Sequence, residues 1–153
     1  MKLSAQEEYG LRCLLRVASA SEGGSVTIPA IAEAEALSIA YVGKLMSVLR
    51  QSQFVQSVRG QAGGYVLSRP PEKIAVAEVL ASLGGRLFEP GFCDEFVGLE
   101  RICTHSIDCS IRSLWRSVQH AVDLVLTGVT LKDLLRKESE VSKLVALRAT
   151  KKG

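Results

Sequence analysis

Three of the four cysteines in this chain lie close together, at Cys93, Cys103 and Cys109. Nine residues separate the first pair and five separate the second, so the spacing is not the CxxC pair of a zinc ribbon. Wider spacing is expected when ligands lie on a loop around a larger group, and cysteine thiolates hold iron–sulfur clusters. Zinc is the alternative, because three thiolates and a fourth ligand also form a tetrahedral zinc site.

The first residues of the chain carry no pattern for export. The segment MKLSAQEEYGLRCLL lacks an apolar core with a small-residue cleavage site, and no apolar run reaches the about 18 residues of a membrane span. We therefore expect a cytoplasmic protein without a membrane partner, in which thiols stay reduced. This disfavours disulfides and favours metal or redox chemistry at the three clustered cysteines. The fourth, Cys13, lies among apolar residues and is expected to be a small buried side chain.

Two predicted helices ahead of the cysteines have the pattern of a helix-turn-helix, after a first helix that Ser4 and Glu7 can cap. Thr27 can cap the second helix, and Ser38 can cap a third that runs to about residue 51. The third helix has an apolar face at helical spacing, formed by Val42, Leu45, Met46 and Leu49. Its opposite face carries Ala40, Tyr41, Gly43, Lys44, Ser47 and Arg50. Small and polar outward residues of this kind are typical of a recognition helix.

A β-hairpin is predicted directly after this helix, with strands at 54–59 and 65–68. The turn between them places Arg59 beside Gly60, Gly63 and Gly64. A cation therefore lies where the backbone can approach a phosphate or a narrow groove closely. A hairpin in this position is expected to be the wing of a winged helix. The net charge of +3 and the pI of about 8.7 are too modest to indicate nucleic-acid binding by themselves.

The second half of the chain divides into a loop and a helix. After a short helix at 74–83, residues 86–109 show no clear period and contain the clustered cysteines, and such long loops are usually functional. From Ser110 an apolar stripe follows helical spacing: Ile111, Leu114, Trp115, Val118, Val122 and Val125. A long apolar helix at the end of a small domain favours packing against a second copy, in a symmetric dimer. The alternative is a helix that folds back on its own winged domain. Thr130 is predicted to cap a last short helix.

Several segments now resemble one family of bacterial regulators. The wing SVRGQAGGY, the helix SIAYVGKL and the opening MKLS are similar to those of the IscR/NsrR/RsrR family of iron–sulfur winged-helix transcriptional regulators. The cysteine-bearing loop, the apolar helix and the closing TLKDLL extend the similarity over roughly residues 1–136. The resemblance implies a mainly α fold with a small β-hairpin wing, and a long C-terminal dimerisation helix.

The resemblance also implies a division of the chain. Residues 1–83 would form the winged helix-turn-helix DNA-binding domain, and 84–109 the cluster-binding loop. Residues 110–137 would form the dimerisation helix and the closing short helix, and 138–153 are expected to be a mobile tail. The homodimer would bind double-stranded promoter DNA with dyad symmetry. By position, Ser38, Tyr41 and Lys44 would lie in or beside the major groove, and Arg59 of the glycine-rich wing would probe the minor groove.

Cys93, Cys103 and Cys109 occupy the family's ligand segment, but the fourth ligand is open. Members that use a histidine three residues after the last cysteine have no counterpart here, because that position is Arg112. Other members recruit an acidic residue from the first helix of the partner subunit, where this chain has Glu8. Glu8 is the favoured ligand.

His105, close to Cys103 in the loop, is the alternative fourth ligand, whereas His120 is expected to be a surface residue. RsrR-type members add a first-helix histidine, and this chain has Arg12 in that position. A 2Fe–2S cluster is favoured, because mixed ligation of this type occurs in the resembled family, and 4Fe–4S is the alternative.

The leading interpretation is a repressor whose operator affinity is set by an iron–sulfur cluster that senses redox state, nitric oxide or cluster status. One alternative is a zinc-stabilised or cluster-free winged-helix protein without redox sensing. Another is a redox- or nitric-oxide-reactive protein whose DNA contact is secondary. An enzyme is disfavoured, because the sequence shows no phosphate-binding glycine loop before a helix and no nucleophile elbow.

Overall fold

The computed structural model describes residues 3–20, 24–60, 63–105 and 107–150, and their architecture is mainly helical. The N-terminal half contains α1 (Ala5–Ala20), α2 (Ile28–Glu35), α3 (Ile39–Gln51), β1 (Val55–Val58), β2 (Gly64–Leu67) and α4 (Val76–Gly84). The C-terminal half contains α5 (Phe92–Glu95), α6 (Ser110–Leu126), α7 (Leu131–Leu134) and α8 (Glu138–Thr150). Short 3-10 turns lie at Pro71–Lys73 and Leu99–Arg101.

The core lies where α1, α3 and α4 pack together. Its fully buried side chains include Leu14, Ile31, Leu45, Met46, Leu49, Ile74, Val79 and Leu131. The predicted apolar face of α3 is confirmed, because all four of its residues are buried. Cys13 is also buried, as predicted, and burial raises the pKa of its thiol to about 11. This thiol therefore stays protonated and is shielded from reaction.

Local hydrogen bonds fix the starts of the first three helices. Ser4 and Glu7 form a reciprocal capping box, in which the Ser4 N–H donates to Glu7 Oε2 at 2.7 Å. The Thr27 hydroxyl oxygen accepts from the Ala30 N–H at 3.3 Å, and Ser38 Oγ accepts from the Tyr41 N–H at 3.2 Å. The predicted caps are confirmed, and they set the relative start points of α2 and α3.

The predicted hairpin is confirmed as an antiparallel pair in which Val58 lies opposite Gly64. Val26, in the segment before α2, pairs with Tyr65 through two backbone hydrogen bonds of 3.0 and 2.8 Å. A Cβ at Gly64 would lie 2.6 Å from the Val26 carbonyl oxygen, and this glycine has a φ of +146°. Glycine is therefore required at this position, and the wing is anchored to the helix-turn-helix.

The C-terminal half differs from the sequence expectation in two segments. The loop that carries the cysteines, expected to be irregular, contains the short helix α5 and a 3-10 turn. Residues 138–150, expected to belong to a mobile tail, form α8, which packs against α6 and α7. Arg148 of α8 donates to the Gly128 carbonyl oxygen and to Asp133. Among the residues that the structure describes, none of the helices combines the length and apolar character needed to cross a bilayer.

Candidate DNA-binding surface and thiol segment

The outward face of α3 carries the predicted major-groove residues. Lys44 is exposed, and Ser38 is exposed although its hydroxyl oxygen accepts the capping hydrogen bond. Tyr41 is half-buried, with its ring edge-on to Tyr9 of α1 at a centroid distance of 6.1 Å. Packing against α1 thus occupies part of the Tyr41 ring. Ile39, which the sequence interpretation did not select, is 59% exposed on the first turn of the helix.

The wing tip presents Arg59 and Gly60 to solvent. Gly60 has a φ of +140°, and its carbonyl oxygen accepts a hydrogen bond from the Gly63 N–H at 3.1 Å. Residues 61 and 62 of the turn lie outside the described residues. Arg59 therefore lies exposed at the end of the two-stranded ribbon, directly after β1.

A buried carboxylate connects α1 to the helix-turn-helix. Glu35 of α2 is 7% exposed and accepts hydrogen bonds from the Nε groups of Arg12, at 2.6 Å, and Arg16. Burial raises the pKa of Glu35, but hydrogen bonds from Arg16 and Arg12 outweigh it and hold the pKa below its ordinary value. The Arg12 guanidinium also lies 5.5 Å from the centre of the Tyr9 ring. The sequence interpretation missed Glu35, whose spacing from Ile31 and Ala32 places it on the packing face of α2.

The three clustered cysteines are free and half-buried. Cys93 lies on α5, Cys103 lies after the Leu99–Arg101 turn, and Cys109 is the N-cap of α6. The Sγ of Cys109 accepts a hydrogen bond from the Arg112 N–H at 3.3 Å. A helix N-terminus stabilises negative charge, so this sulfur occupies a favourable position for an anionic ligand atom.

Within the described part of one chain, no three His, Cys, Asp or Glu side chains converge into a group that could hold a metal ion. His105 and Glu8 are both exposed, on the thiol loop and on the first turn of α1 respectively. His120 is exposed on α6. The donor types suit a cluster, because three thiols are free and a carboxylate is accessible. Their placement in a single chain does not assemble a complete ligand set.

A polar network ties the beginning of the thiol loop to α6. The Phe88 N–H donates to Oε1 of the buried Gln119 at 3.1 Å, and Gln119 Nε2 donates to Asp123 at 2.8 Å. Arg86 pairs with the same aspartate. The rings of Phe88, Phe92 and Phe96 then stack in sequence, with centroid distances of 5.1 and 4.7 Å. The sequence interpretation did not identify this network, in which Gln119 satisfies a loop backbone group from a different element.

The first half of the apolar stripe of α6 is exposed in the single chain, whereas Val118, Val122 and Val125 are half-buried. Ile111 and Leu114 are each 56% exposed, and Trp115 is 39% exposed. The apolar residues Leu99, Ile102 and Ile107 of the preceding loop are also exposed. Exposed apolar side chains therefore lie both on the thiol loop and on the first turns of the helix that follows it.

Comparison with known proteins identifies one family of transcriptional regulators. The model of the Rrf2 family, described as iron-dependent transcriptional regulators, matches residues 3–137. The Escherichia coli regulator IscR is 32% identical over 143 residues, which cover 90% of this chain and 82% of IscR.

Solved structures agree with the sequence comparison. CymR, the global cysteine regulator of B. subtilis, is similar with a TM-score of 0.72 and 30% identity, over 88% of this chain and 96% of CymR. IscR of T. potens is similar with a TM-score of 0.70 and 31% identity, over 88% of this chain and 86% of that protein. Both fold and sequence therefore indicate transcriptional regulators rather than enzymes. The chain belongs to the Rrf2 family and is a DNA-binding, winged-helix transcriptional regulator.

Proposed function

We propose that the chain is a homodimeric repressor in the cytoplasm, whose affinity for promoter DNA is set by an iron–sulfur cluster. The observation that carries this proposal is the position of the three free thiols. They lie on the segment that leads into α6, and Cys109 caps the helix whose exposed apolar stripe would form the dimer. A group bound by these thiols would therefore touch the element that sets the separation of the two DNA-binding heads.

The cluster ligands would be Cys103, Cys109 and Cys93. A bound cluster would supply a redox-active centre that oxidants and nitric oxide can alter, with 2Fe–2S favoured and 4Fe–4S as the alternative. The state of the thiols supports this assignment, since all three are free and half-buried and the Sγ of Cys109 accepts a hydrogen bond from a backbone N–H. Because one chain does not gather them, cluster binding requires the loop to close or the second chain to contribute.

Glu8 of the partner subunit is proposed as the fourth ligand, with His105 of the same loop as the alternative. Glu8 and Arg12 are one turn apart on α1, and Arg12 binds the buried Glu35 of the helix-turn-helix. A ligand bond at Glu8 would bias the position of α1. The Arg12–Glu35 contact would pass that bias to α2. Cluster status and head orientation would then be coupled across the dimer.

The proposed docking places α3 in the major groove and the wing over the minor groove. Ser38, Tyr41 and Lys44 face the first groove, and Arg59 enters the second with Gly60, Gly63 and Gly64 around it. The exposure of Lys44 and Arg59 supports these roles. A symmetric dimer then requires half-sites separated by about one helical turn or a multiple, so the operator should show dyad symmetry.

Purification without oxygen tests the cofactor directly. Iron, acid-labile sulfide and zinc are measured for wild type and for Cys103→Ala and Cys109→Ala, with Cys13→Ala as the matched control at the buried thiol. We expect iron and sulfide in wild type and in Cys13→Ala, and their loss in the other two. Full iron and sulfide in Cys103→Ala and Cys109→Ala would refute the ligand assignment.

A second candidate is a zinc-stabilised or cluster-free regulator without redox sensing. Its cluster-free form is favoured by the absence of three converging ligand-type side chains in the described part of the chain. CymR, which is similar in fold, is named as a cysteine regulator rather than as an iron-dependent one. In this case wild type would contain zinc or no metal, and oxidants would leave its operator affinity unchanged. The same metal analysis therefore separates the two candidates.

A further inference from the structure

Three glycines lie within helices in the part of the chain that the structure describes. For only two of them would an added side chain meet a neighbouring residue. A Cβ at Gly10 would lie 2.5 Å from a methyl carbon of Leu83, and a Cβ at Gly84 would collide with the Glu7 side chain. Close packing against the buried Leu83 therefore favours glycine at position 10, and a side chain at position 84 would displace that of Glu7. A Cβ at Gly43 would have no neighbour within 4 Å. Nothing in the fold of the described chain explains a glycine in the middle of α3.

Glycine at this position weakens the helix. Gly43 does not adopt a positive φ, so no special backbone conformation requires it. Glycine in a helix interior is less stable than alanine, because it loses more backbone freedom on folding. A residue that destabilises α3 without an intramolecular role indicates a role toward something that contacts α3 from outside.

The missing side chain affects the surface of the preceding turn. Helical side chains lean toward the N-terminus, so a side chain at position 43 would lie over Ile39 and Ala40. Gly43 leaves this surface open, and Ile39 is 59% exposed. We call the surface formed by Ile39, Ala40 and the bare backbone of Gly43 the apolar notch.

The apolar notch lies within the surface expected to contact DNA. Lys44, the next residue along the helix, is exposed, whereas the buried face of α3 consists of other residues. In the major groove, the apolar group on a base edge is the C5-methyl of thymine. An exposed branched apolar side chain beside a position without Cβ matches a methyl group in shape and polarity.

We propose that Ile39 and Gly43 determine base specificity, by receiving the C5-methyl of one thymine in each half-site. Gly43 admits the base edge to the helix surface, and Ile39 contacts the methyl group. This inference rests on the proposed docking of α3 in the major groove. It is independent of any cofactor, because both residues belong to the helix-turn-helix.

The first experiment removes the methyl group from the DNA. An operator is selected from random double-stranded DNA with the intact protein, and each thymine is replaced in turn by deoxyuracil. Wild type should lose about fourfold in affinity at one position in each half-site, the effect of one buried methyl group. Ile39→Ala should bind the thymine and deoxyuracil operators equally. Equal binding of all deoxyuracil operators by wild type would overturn the proposal.

The second experiment adds a methyl group to the protein. Gly43→Ala should raise the melting temperature and lower operator affinity, two effects of opposite sign that a purely structural role cannot produce. The control Gly10→Ala should lower the melting temperature, because its Cβ would collide with Leu83. Wild-type operator affinity in Gly43→Ala would refute the notch.

Failure of the docking model is distinguishable from failure of the notch. If the proposed docking of α3 and the wing is wrong, Lys44→Ala and Arg59→Ala would leave affinity unchanged as well. If only the notch is wrong, those two variants would still bind the operator more weakly. Wild type would then bind the deoxyuracil and thymine operators equally, and Gly43→Ala would bind the operator as wild type does.

Discussion

Arg12 of α1 donates its Nε proton to the buried carboxylate of Glu35 on α2, over a distance of 2.6 Å. Arg16, one turn further along α1, donates to the other oxygen of the same carboxylate. Two cations from one helix thus hold one anion from another. The carboxylate is shielded from water, while both guanidinium groups remain about half exposed. This contact fixes the position of α2 relative to α1.

Glu35→Ala should lower the free energy of unfolding by about 1–3 kcal/mol, because two hydrogen-bond donors lose their partner. The exposure of Arg12 and Arg16 keeps the effect at the lower end, since water solvates the released guanidinium groups. Urea denaturation measures the change. Glu33→Ala, at an exposed position on the same helix, is the control and should change stability by less than about 0.5 kcal/mol.

The pH dependence of stability should follow from the same carboxylate. The pKa of Glu35 is lower in the folded state than in the unfolded state, where it takes its ordinary value. Its contribution is therefore fully present above the unfolded pKa of about 4.3, and is lost as the pH falls through the folded pKa. Asp133 contributes to the pH dependence of stability in the same direction. Burial raises its pKa, but hydrogen bonds from Thr130 and Arg148 outweigh this effect and lower the pKa below its ordinary value.

Acid unfolding of wild type and Glu35→Gln tests this dependence. Unlike the carboxylate, the neutral amide does not take up a proton as the pH falls, so the variant should be less stable at pH 7 and should lose less stability between pH 5 and pH 3. Parallel stability curves for the two proteins over that range would contradict the assigned direction. Glu33→Gln should follow the wild-type curve.

The wing and the recognition helix should contribute differently to DNA binding. Arg59→Ala should weaken operator binding by about 1–3 kcal/mol and relax the preference at one position, as expected for a contact to a base edge. Lys44→Ala, if the amine meets phosphate, should weaken all sequences alike and flatten the salt dependence by about one unit. Titration of operator and unrelated DNA at several salt concentrations measures both. Unchanged affinity in both variants would exclude the docking.

The apolar stripe of α6 should be the dimer interface. Trp115→Ala removes one of the largest apolar side chains of the stripe and should cost about 3–5 kcal/mol if the partner buries it. Sedimentation at micromolar concentration should then show a monomer. Leu147→Ala, at an exposed apolar position on α8, is the control and should leave the dimer intact. A monomeric wild type would refute the assembly.

Local patterns account for what the sequence predicted correctly. Thr27 and Ser38 cap α2 and α3 through hydrogen bonds that span three residues, so the residue types nearby are sufficient to indicate them. The buried face of α3 likewise follows from spacing along one helix. The helix-turn-helix, the wing and the exposed position of Arg59 could therefore be predicted without any long-range information.

Contacts between distant segments account for what the sequence did not predict. Helix α8 has little amphipathic pattern, and Arg148 anchors it to Gly128 and Asp133 from 20 and 15 residues away. Glu35 is recognised as a structural anion only when α1 brings two arginines to it. The arrangement of the three thiols depends on how the loop before α6 folds, so their spacing alone does not fix the geometry.

The fourth ligand provides the sharpest test of coupling between the proposed cluster and DNA. A carboxylate binds a cluster less firmly than a thiolate, because it is a harder ligand. Glu8→Ala should therefore shift the visible spectrum of the anaerobic protein and slow or abolish its change in operator affinity on oxidation. Cys93→Ala should lower the iron content of the protein more than Glu8→Ala does, since it removes a thiolate ligand. Glu72→Ala, an exposed carboxylate after the wing, should match wild type in both measurements.

The response to a second substitution separates the two candidate ligands. If Glu8→Ala leaves spectrum and oxidant response untouched while His105→Ala alters both, the fourth ligand lies within the loop and the coupling across the dimer is wrong. If Glu8→Ala alters both, Arg12→Gln should keep the spectrum but weaken the change in operator affinity. Arg12 binds Glu35 rather than the thiol segment, so its loss would interrupt the connection from α1 to the helix-turn-helix without removing a ligand.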